Sequence, residues 1–529
     1  MKMRKFLIGA ALVALPFAAG AFLRQSGPGN EGARLFAQVL QRIENNAVDS
    51  LDRAAIYEKA ARGLVKNLKD PYADLYSPEE IAAFQRNTLR NNYGGLGMQI
   101  EPHDEAIFVG RVFPNTPAAA GGVIAGDQII SVDSVPVTGL KIEEVSAKLL
   151  GKPGTQVNVV FGRLGIPQPI KGTFTRGIIR IPAVPYAIVL DGGVGYIPLQ
   201  SFNDQAAEDV AKSLQTLRQK GAKSFILDLR GNGGGSLDQA LEISELFLKP
   251  GQQIVVVRHR GREPEISAAS RVPVIDSMPV VVMVDGNSAS ASEIVAGSLQ
   301  DHDRGLVVGT TSFGKGLVQT LFPLDGGWYV KLTTGKWYTP SGRSIQSEHD
   351  RLGDERFVEF AADSAPGDSA RKRPVFKSDA GRKILGGGGI TPDVVVQLDS
   401  TTTAEREFLR TMGPFSQQLY VTVYNFGLDR KSSLKPDFQV TAAMREELYG
   451  RLVKAKIPVQ RAQFDAVPEL IDRLIDQRFT SLAFGDSTAF RRSIGDDPQM
   501  KAALDYLRRG TTQRQLLALA SGQMVKSQE

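Results

Sequence analysis

The sequence predicts a multidomain α/β protein, and three observations support this. Between residues 176 and 398, buried-strand patterns alternate with amphipathic-helix patterns, which is typical of a largely parallel sheet covered by helices. Residues 93–171 have short strands separated by glycine turns. The flanking segments, residues 25–92 and 401–529, carry apolar residues at helical spacing. A chain of 529 residues is long enough for two or three domains with proper cores.

The first residues predict export from the cytoplasm. Lys2, Arg4 and Lys5 precede an uncharged run, residues 6–21, that ends in Ala-Gly-Ala. A run of this length fits the upper end of a signal-peptide core and is shorter than the ~20 residues that span a bilayer comfortably. We interpret residues 1–24 as a cleaved signal peptide, with a retained inner-membrane anchor as the alternative. In both cases the body of the protein is expected in the periplasm or cell envelope.

Composition argues against several kinds of site. The chain has no cysteine, which excludes thiol catalysis and disulfides, and its four histidines are too few for a histidine-rich metal site. The net charge of +6 is modest, and no basic stripe with interleaved aromatics occurs. We therefore expect no metal, no cofactor and no nucleic acid. The sequence Asp301-His302-Asp303 resembles part of a catalytic triad, but a polar helix end at the surface is the preferred interpretation.

Residues 25–92 are predicted to be helical. Apolar residues at positions 35, 39, 40 and 43 share one helix face. Asp70-Pro71-Tyr72 interrupts the pattern. A new helix is expected after it, with Ser77 as the N-cap and Pro78 in the first turn.

Ser290 stands where a hydroxyl would be exposed beside free backbone N–H groups. An apolar strand, residues 279–284, precedes a turn of small residues, and the amphipathic stretch from Glu293 to Gln300 indicates a helix. The first N–H groups of a helix have no partner within it. A tight structural turn is the alternative interpretation of such a Ser/Ala run.

Lys315 lies between two glycines, 25 residues after Ser290. A neutral lysine amine can take the proton of a serine hydroxyl and so make the serine a nucleophile. For this the lysine pKa must fall from ~10.4 toward neutrality, which burial among apolar groups can achieve. The apolar and glycine-rich surroundings fit that need, and a solvated loop is the alternative.

Taken together, at this spacing, the two segments closely resemble the carboxyl-terminal processing peptidases, also called tail-specific proteases. The resemblance implies that Ser290 is the nucleophile and Lys315 the general base. It also implies that Gln319, four residues later, positions the lysine amine. The resemblance covers residues 172–400, for which it implies a crotonase-like peptidase core.

A glycine-rich turn follows the strand predicted at residues 224–229. Four glycines among residues 231–235 permit close approach of backbone to substrate. The family resemblance implies an oxyanion hole made by the backbone N–H groups of Gly235 and Ala291. Without Ser290, a flexible strand-to-helix turn would be the default interpretation.

Residues 93–171 resemble a PDZ domain over their whole length. A Gly-Leu-Gly loop, an Asn-Thr-Pro-Ala turn, a Gly-Asp pair and an Ile-Ile-Ser-Val strand follow one another in the order found in such domains. The resemblance implies that Gly95, Leu96 and Gly97 offer backbone N–H groups to a peptide's terminal carboxylate, while the next strand pairs with the peptide. The predicted partners are C-terminal tails of proteins or peptides. A structural hairpin is the alternative.

Two other functions compete with a peptidase. Residues 309–315 match the first seven positions of a phosphate-binding P-loop, but Gly316 replaces the Ser or Thr that would hold magnesium. Pro323 also comes too soon for the long helix that such a loop requires. A non-catalytic scaffold that binds tails is the second alternative, and the intact serine and lysine argue against it. The preferred prediction is a serine endopeptidase that cleaves exported proteins selected by their C-terminal tails.

Beyond about Ser400 the family resemblance fades. Residues 346–373 are expected to form an exposed polar loop, and residues 401–529 a helical C-terminal extension. The apolar stripe made by Leu470, Ile471, Leu474 and Ile475 is expected to be exposed on at least one face. This predicts that the extension contributes to a homo-oligomer, with an extra layer of core as the alternative.

Overall fold

The computed structural model describes residues 28–49, 52–85, 92–103, 106–113, 115–163, 166–347, 373–398 and 401–522. The predicted signal peptide or anchor, residues 1–24, and most of the loop predicted at 346–373 lie outside the described residues. Within the described ranges, no helix combines the length and the apolar character needed to cross a membrane. The chain groups into two units, one of residues up to Pro78 with Thr320–Leu332, and one of the remaining residues.

The first unit contains two helices, α1 (Pro28–Asn46) and α2 (Arg53–Lys66), and a short strand, β1 (Asp74–Tyr76). The Asp52 side chain caps α2 by accepting from the N–H groups at the start of the helix. Strand β1 pairs antiparallel with residues 329–331. Helix α3 (Pro78–Phe84) begins at the proline, as the sequence predicted.

The predicted PDZ region is an antiparallel sheet with two short helices. Its strands lie in the order β3-β4-β5-β7-β8, so that β3 is an edge strand, and β5 also pairs with β6. Helix α5 contacts β3. Strand β2 pairs separately with β9. The bounds are β2 Asn92–Gly95, β3 Met98–His103, β4 Ala106–Val112, α4 Pro117–Ala120, β5 Gln128–Val132, β6 Val135–Pro136, α5 Ile142–Leu149, β7 Gln156–Arg163, β8 Ile166–Thr175 and β9 Gly177–Arg180.

A six-stranded sheet in the order β10-β11-β12-β15-β16-β21 forms the centre of the second unit. All neighbouring strands from β11 to β21 run parallel, and the edge strand β10 is antiparallel. The strands predicted at residues 224–229 and 279–284 and the helix predicted from Glu293 to Gln300 are confirmed. The bounds are β10 Ile188–Leu190, β11 Val194–Pro198, α6 Ala206–Gln219, β12 Ser224–Asp228, α7 Leu237–Glu245, β15 Val280–Val284, α8 Ala291–Asp301, β16 Leu306–Gly309 and β21 Val394–Val395.

A second sheet and a small hairpin complete the core region. Strand β13 pairs antiparallel with β14 and with residues 335–338 of β18. Strands β19 and β20 form the hairpin. The bounds are β13 Gln253–His259, β14 Glu265–Ala268, β17 Leu317–Pro323, β18 Tyr329–Tyr338, β19 Val375–Lys377 and β20 Lys383–Leu385.

Alternate residues of the parallel strands face opposite sides of the central sheet, and both sides are buried. Phe225 and Leu227 of β12 pack with helices α6, α7 and α8 on one side. Ile226, between them in sequence, packs on the other side. Burial of both sides explains why strands such as β15, which is buried along its whole length, are continuous apolar runs.

The C-terminal extension is helical, as predicted. Its helices are α9 Thr403–Met412, α10 Ser416–Arg430, α11 Ala442–Lys454, α12 Arg461–Asp465, α13 Pro468–Phe484, α14 Asp486–Ser493, α15 Pro498–Arg509 and α16 Gln513–Ala520. The expectation that the stripe on α13 is exposed is wrong. Ile471 and Ile475 are fully buried in the core of the extension, and Leu470 and Leu474 pack against that core. A homo-oligomer stays a prediction, and it no longer rests on this stripe.

The last two helices cover the second side of the central sheet. Met500, Ala503 and Leu507 of α15 and Leu516 and Leu517 of α16 pack in one cluster with the strands. The sequence is also compatible with an extra layer of core in place of an oligomer contact, and this part of the extension is such a layer.

We expect Leu516→Ala to destabilise the protein by about 2–5 kcal/mol, because the leucine is fully buried against the sheet and its removal leaves a cavity. Leu409→Ala on α9 is the matched control, since that leucine is 43% exposed. Chemical denaturation of the two variants checks the prediction. Equal stability of both would contradict the packing of α16 on the sheet.

Candidate active site

Ser290 lies in a sharp turn between strand β15 and helix α8. Its backbone has φ +55° and ψ −110°, a conformation that residues other than glycine rarely adopt. The side chain is half-buried. Helix α8 begins at the next residue, Ala291, so the serine stands at the positive end of the helix dipole. A serine presented on a strained strand-to-helix turn is a common arrangement for a nucleophile.

Hydrogen bonds hold the turn that carries Ser290 and the glycine-rich turn against each other. The Asp285 carboxylate accepts from the N–H groups of Gly231, Asn287 and Ser288. The Ser288 hydroxyl donates to the Leu229 carbonyl over 2.8 Å. Because these hydrogen bonds join the two turns, they set the relative position of the turns, and the bond between Ser288 and Leu229 is buried.

The glycine-rich turn approaches Ser290 closely. A Cβ atom on Gly234 would lie 3.0 Å from the Ser290 Cβ and 2.7 Å from the Ala289 carbonyl oxygen, so only glycine fits at this position. Gly234 also has φ +97°, a second reason for glycine. The N–H groups of Gly235 and Ala291 donate no hydrogen bond to other groups in the described part of the chain. These are the two donors that the sequence analysis assigned to an oxyanion hole.

Glu293 joins the serine segment to the lysine segment. One carboxylate oxygen, Oε2, accepts from the backbone N–H of Ser290 over 2.8 Å and from that of Lys315 over 2.9 Å. The other, Oε1, accepts from the Gly314 N–H over 2.7 Å and the Ser312 hydroxyl over 2.5 Å. The backbone N–H groups of Ser290 and Lys315 therefore donate to the same oxygen atom, which holds the two backbones close together.

Burial dominates the titration of Glu293. The side chain is fully buried, and this raises the pKa of its carboxyl to about 7, although hydrogen bonds from Ser312, Lys315, Gly314 and Ser290 act to lower it. As a carboxylate it accepts all four hydrogen bonds, whereas a protonated carboxyl gives up acceptor capacity.

Lys315 and Gln319 lie on the segment that Glu293 holds. Lys315 is half-buried, and its backbone carbonyl accepts from the Trp337 indole N–H over 3.1 Å. The Gln319 amide nitrogen is 3.4 Å from the hydroxyl of Thr333 on the neighbouring strand, a long hydrogen bond. The pairing of the lysine amine with the serine hydroxyl, and the role of Gln319 in it, stay predictions.

The predicted carboxylate loop lies at the start of the edge strand β3. The Leu96 carbonyl accepts from Ala118 and the Gly97 carbonyl from Phe113, so the loop carbonyls are directed to the domain itself. Gly97 has φ +80°, and a Cβ there would lie 2.3 Å from Thr116, which explains the glycine. Gly95 is the last residue of β2, which pairs with β9.

Strand β17, not a helix, follows residues 309–315, which agrees with the rejection of a P-loop from the sequence. One interpretation from the sequence needs correction. His302 does end helix α8, but its side chain is only 8% exposed and is not at the surface. Its ring nitrogens are 2.7 Å from Asp379 Oδ2 and 2.7 Å from the Gln253 carbonyl, far along the helix from Ser290.

Glu293 is a site residue for which the sequence predicted no role. Ser290-Ala-Ser-Glu293 has the spacing of a capping box, in which the glutamate accepts from the N–H at the start of the helix. That signal predicts the contact with Ser290. The contact with the lysine segment carries no local sequence signal, because it joins residues 22 positions apart.

Comparison with known proteins supports the family resemblance. Residues 193–351 match the model of peptidase family S41, and residues 108–163 match that of the PDZ domain. A carboxy-terminal-processing protease of Bartonella bacilliformis is 36% identical over 316 residues, covering 59% of this chain and 72% of that protein. A chloroplastic C-terminal processing peptidase of Tetradesmus obliquus is 30% identical over 354 residues, covering 64% and 75%.

Among solved structures, a photosystem II D1 C-terminal processing protease is similar at 27% identity, covering 71% of this chain and 90% of that one with a TM-score of 0.36. The family assignment rests on the sequence relatives, one of which is more than a third identical over most of its own length. The chain belongs to the carboxy-terminal processing proteases, serine-type peptidases, and combines an S41 peptidase core with a PDZ domain.

Proposed function

We propose that this protein is a serine endopeptidase that uses Ser290 as nucleophile and Lys315 as general base. The observation that carries the proposal is the shared carboxylate oxygen of Glu293, which holds the backbones of both residues. A nucleophile and its base must stay within hydrogen-bond reach of each other during the reaction. The buried Glu293 carboxylate joins their two backbones. This supports such a pair because it restricts how far the two residues can move apart.

In the proposed reaction, the neutral Lys315 amine takes the proton of the Ser290 hydroxyl as its oxygen attacks the peptide carbonyl. The carbonyl oxygen then carries negative charge, which the N–H groups of Gly235 and Ala291 would stabilise. Collapse of this intermediate breaks the C–N bond, and the lysine ammonium returns the proton to the leaving amine. Water then attacks the acyl-enzyme by the same route and releases the acid.

The PDZ domain would select substrates by their C-terminal tails. Among the described strands, β3 lies at the edge of its sheet, and helix α5 contacts it. Together they would form a groove for β-strand addition. The loop of Gly95, Leu96 and Gly97 would receive the terminal carboxylate at one end of this groove. A PDZ domain of a Vibrio cholerae carboxy-terminal protease in complex with a peptide is 24% identical to 17% of this chain, with a TM-score of 0.16.

The substrates are proposed to be exported proteins. This rests on the basic residues Lys2, Arg4 and Lys5 and the apolar run that follows them, which have the pattern of an export signal. Residues 6–21 would anchor the protein to the inner membrane if the segment is retained.

Ser290→Ala is expected to abolish peptide hydrolysis, and Lys315→Ala to reduce kcat by at least ~10²-fold, because general-base catalysis contributes that much or more. Gln319→Ala should lose less, since the amide orients and does not react. Hydrolysis of a fluorogenic peptide measures all three.

Lys336→Ala is the matched control, because this lysine is exposed on the strand that carries Trp337. Its activity should equal that of the wild type. Near-normal activity of Lys315→Ala would exclude the Ser–Lys pair. Tail binding without any hydrolysis by the wild type would favour the non-catalytic scaffold.

Glu293→Gln should lower kcat on the order of 10-fold or more, because the amide NH₂ faces N–H donors and leaves buried groups unsatisfied.

The variant should also change the pH dependence of stability. Burial raises the pKa of Glu293 to about 7 in the folded protein. As the pH rises from the ordinary pKa of a glutamate toward 7, the carboxyl loses its proton more readily in the unfolded protein than in the folded one, so the folded protein loses stability. The wild-type melting temperature should therefore fall relative to that of Glu293→Gln between pH 5 and pH 8 (~3 units, across the shifted pKa).

Glu405→Gln is the control for this variant. Glu405 occupies the same position of a capping box at the start of α9, in the C-terminal extension. It should leave kcat unchanged. Wild-type kcat in Glu293→Gln, together with an unchanged pH profile of melting, would contradict the tethering role.

A peptide with a free C-terminal carboxylate should bind more tightly than the same peptide amidated, on the order of 10-fold, because charge-assisted hydrogen bonds are lost in the amide. Fluorescence anisotropy on Ser290→Ala measures binding without cleavage. Equal affinity of the two peptides would refute tail recognition through the carboxylate loop.

A further inference from the structure

Arg230 connects the glycine-rich turn to the C-terminal extension. It follows strand β12 and directly precedes Gly231, where the turn toward Gly235 begins. Its Nε and Nη2 atoms donate to the Asp228 carboxylate over 3.0 and 2.7 Å. Its Nη1 atom donates to Asp497 Oδ2 over 2.8 Å and to Gln499 Oε1 over 3.1 Å.

The cluster is well shielded from solvent. The side chains of Arg230, Asp228 and Asp497 are 17%, 7% and 21% exposed. Burial works to lower the pKa of Arg230, but the neighbouring carboxylates of Asp228 and Asp497 more than offset this and raise it. The guanidinium therefore stays charged between two carboxylates, and loss of the Asp497 carboxylate removes the charge-assisted hydrogen bond that its Nη1 atom donates.

A second contact from the extension reaches the same cluster. Phe490 of α14 stacks on Tyr196 with ring centroids 4.0 Å apart, and the Tyr196 hydroxyl donates to Asp228 Oδ2 over 2.8 Å. The extension thus contacts Arg230 directly through Asp497 and contacts Asp228 through Tyr196. The Arg230 backbone N–H also donates to Asp228, which fixes the start of the turn.

We propose that Asp497 and Gln499 are positioning residues of the peptidase, which hold Arg230 and through it the turn that presents the Gly235 N–H to the reacting carbonyl. This inference rests on the proposed function. It means that residues of the C-terminal extension, outside the region that resembles the family, help to position the reacting groups. The extension is then required for turnover as well as for stability.

The geometry of Asp497 allows these two roles to be separated. Oδ1 caps helix α15 by accepting from the N–H groups of Gln499 and Met500, both over 2.9 Å. Oδ2 alone contacts Arg230. Asp497→Asn keeps a carbonyl oxygen for the cap and turns an NH₂ group toward the guanidinium. Asp497→Ser keeps a capping hydroxyl that is too short to reach Arg230.

The experiment measures kcat, KM and melting temperature for full-length protein with a fluorogenic peptide. Both Asp497 variants should lower kcat on the order of 10-fold, the effect of one charge-assisted hydrogen bond, with KM within ~2-fold of the wild type. Thr512→Ala is the matched control, because it removes the N-cap of the neighbouring helix α16, and the Thr512 hydroxyl accepts from Gln515 of that same helix. It should lower the melting temperature and leave kcat unchanged.

A double-mutant cycle tests whether Asp497 acts through Arg230. Arg230→Gln with Asp497→Asn should lose no more kcat than Arg230→Gln alone. Unchanged kcat in both Asp497 variants, or additive losses in the cycle, would overturn the inference while the peptidase function stands. A wild type that does not cleave the peptide, or a Ser290→Ala variant that does, would instead overturn the proposed function itself.

Discussion

The site depends on one buried carboxylate. Glu293 lies in the first turn of α8, and its two oxygens accept four hydrogen bonds from the segments of Ser290 and Lys315. Burying a glutamate is costly unless its oxygens are satisfied, so the four donors and the carboxylate require one another. A helix start and a loop that are separate in sequence are thereby held as a single arrangement, and the raised pKa near 7 records the cost of burying that charge.

The central sheet supports this arrangement from both sides. Helices α6, α7 and α8 pack on one side, and α15 and α16 of the C-terminal extension pack on the other. The extension also contacts the PDZ domain, where Gly126 lies against Leu428 and Tyr424 of α10. One helical segment therefore contributes to the core of the peptidase and borders the domain proposed to select substrates. The ion pair between Asp497 and Arg230 also links this extension to the glycine-rich turn beside Ser290.

Patterns of local origin allowed much of the fold to be predicted. The apolar run of β15 and the small-residue turn after it predicted the position of Ser290 because strand, turn and helix each leave a signal within a few residues. The stripe on α13 was misjudged, since periodicity shows that residues share a face but not what covers it. The contacts of Glu293 with Lys315 and of Arg230 with Asp497 join distant positions, and no local pattern encodes them.

The central claim is that Glu293 makes Ser290 and Lys315 act as one unit. The most direct test is the rate at which a fluorophosphonate probe phosphonylates the protein, with the modified residue identified by peptide mapping. We predict modification at Ser290, slowed in Lys315→Ala and in Glu293→Gln, and no slower in the double variant than in Lys315→Ala, because groups that act as a unit are not additive. Modification of another residue, or additive losses in the double variant, would contradict the account.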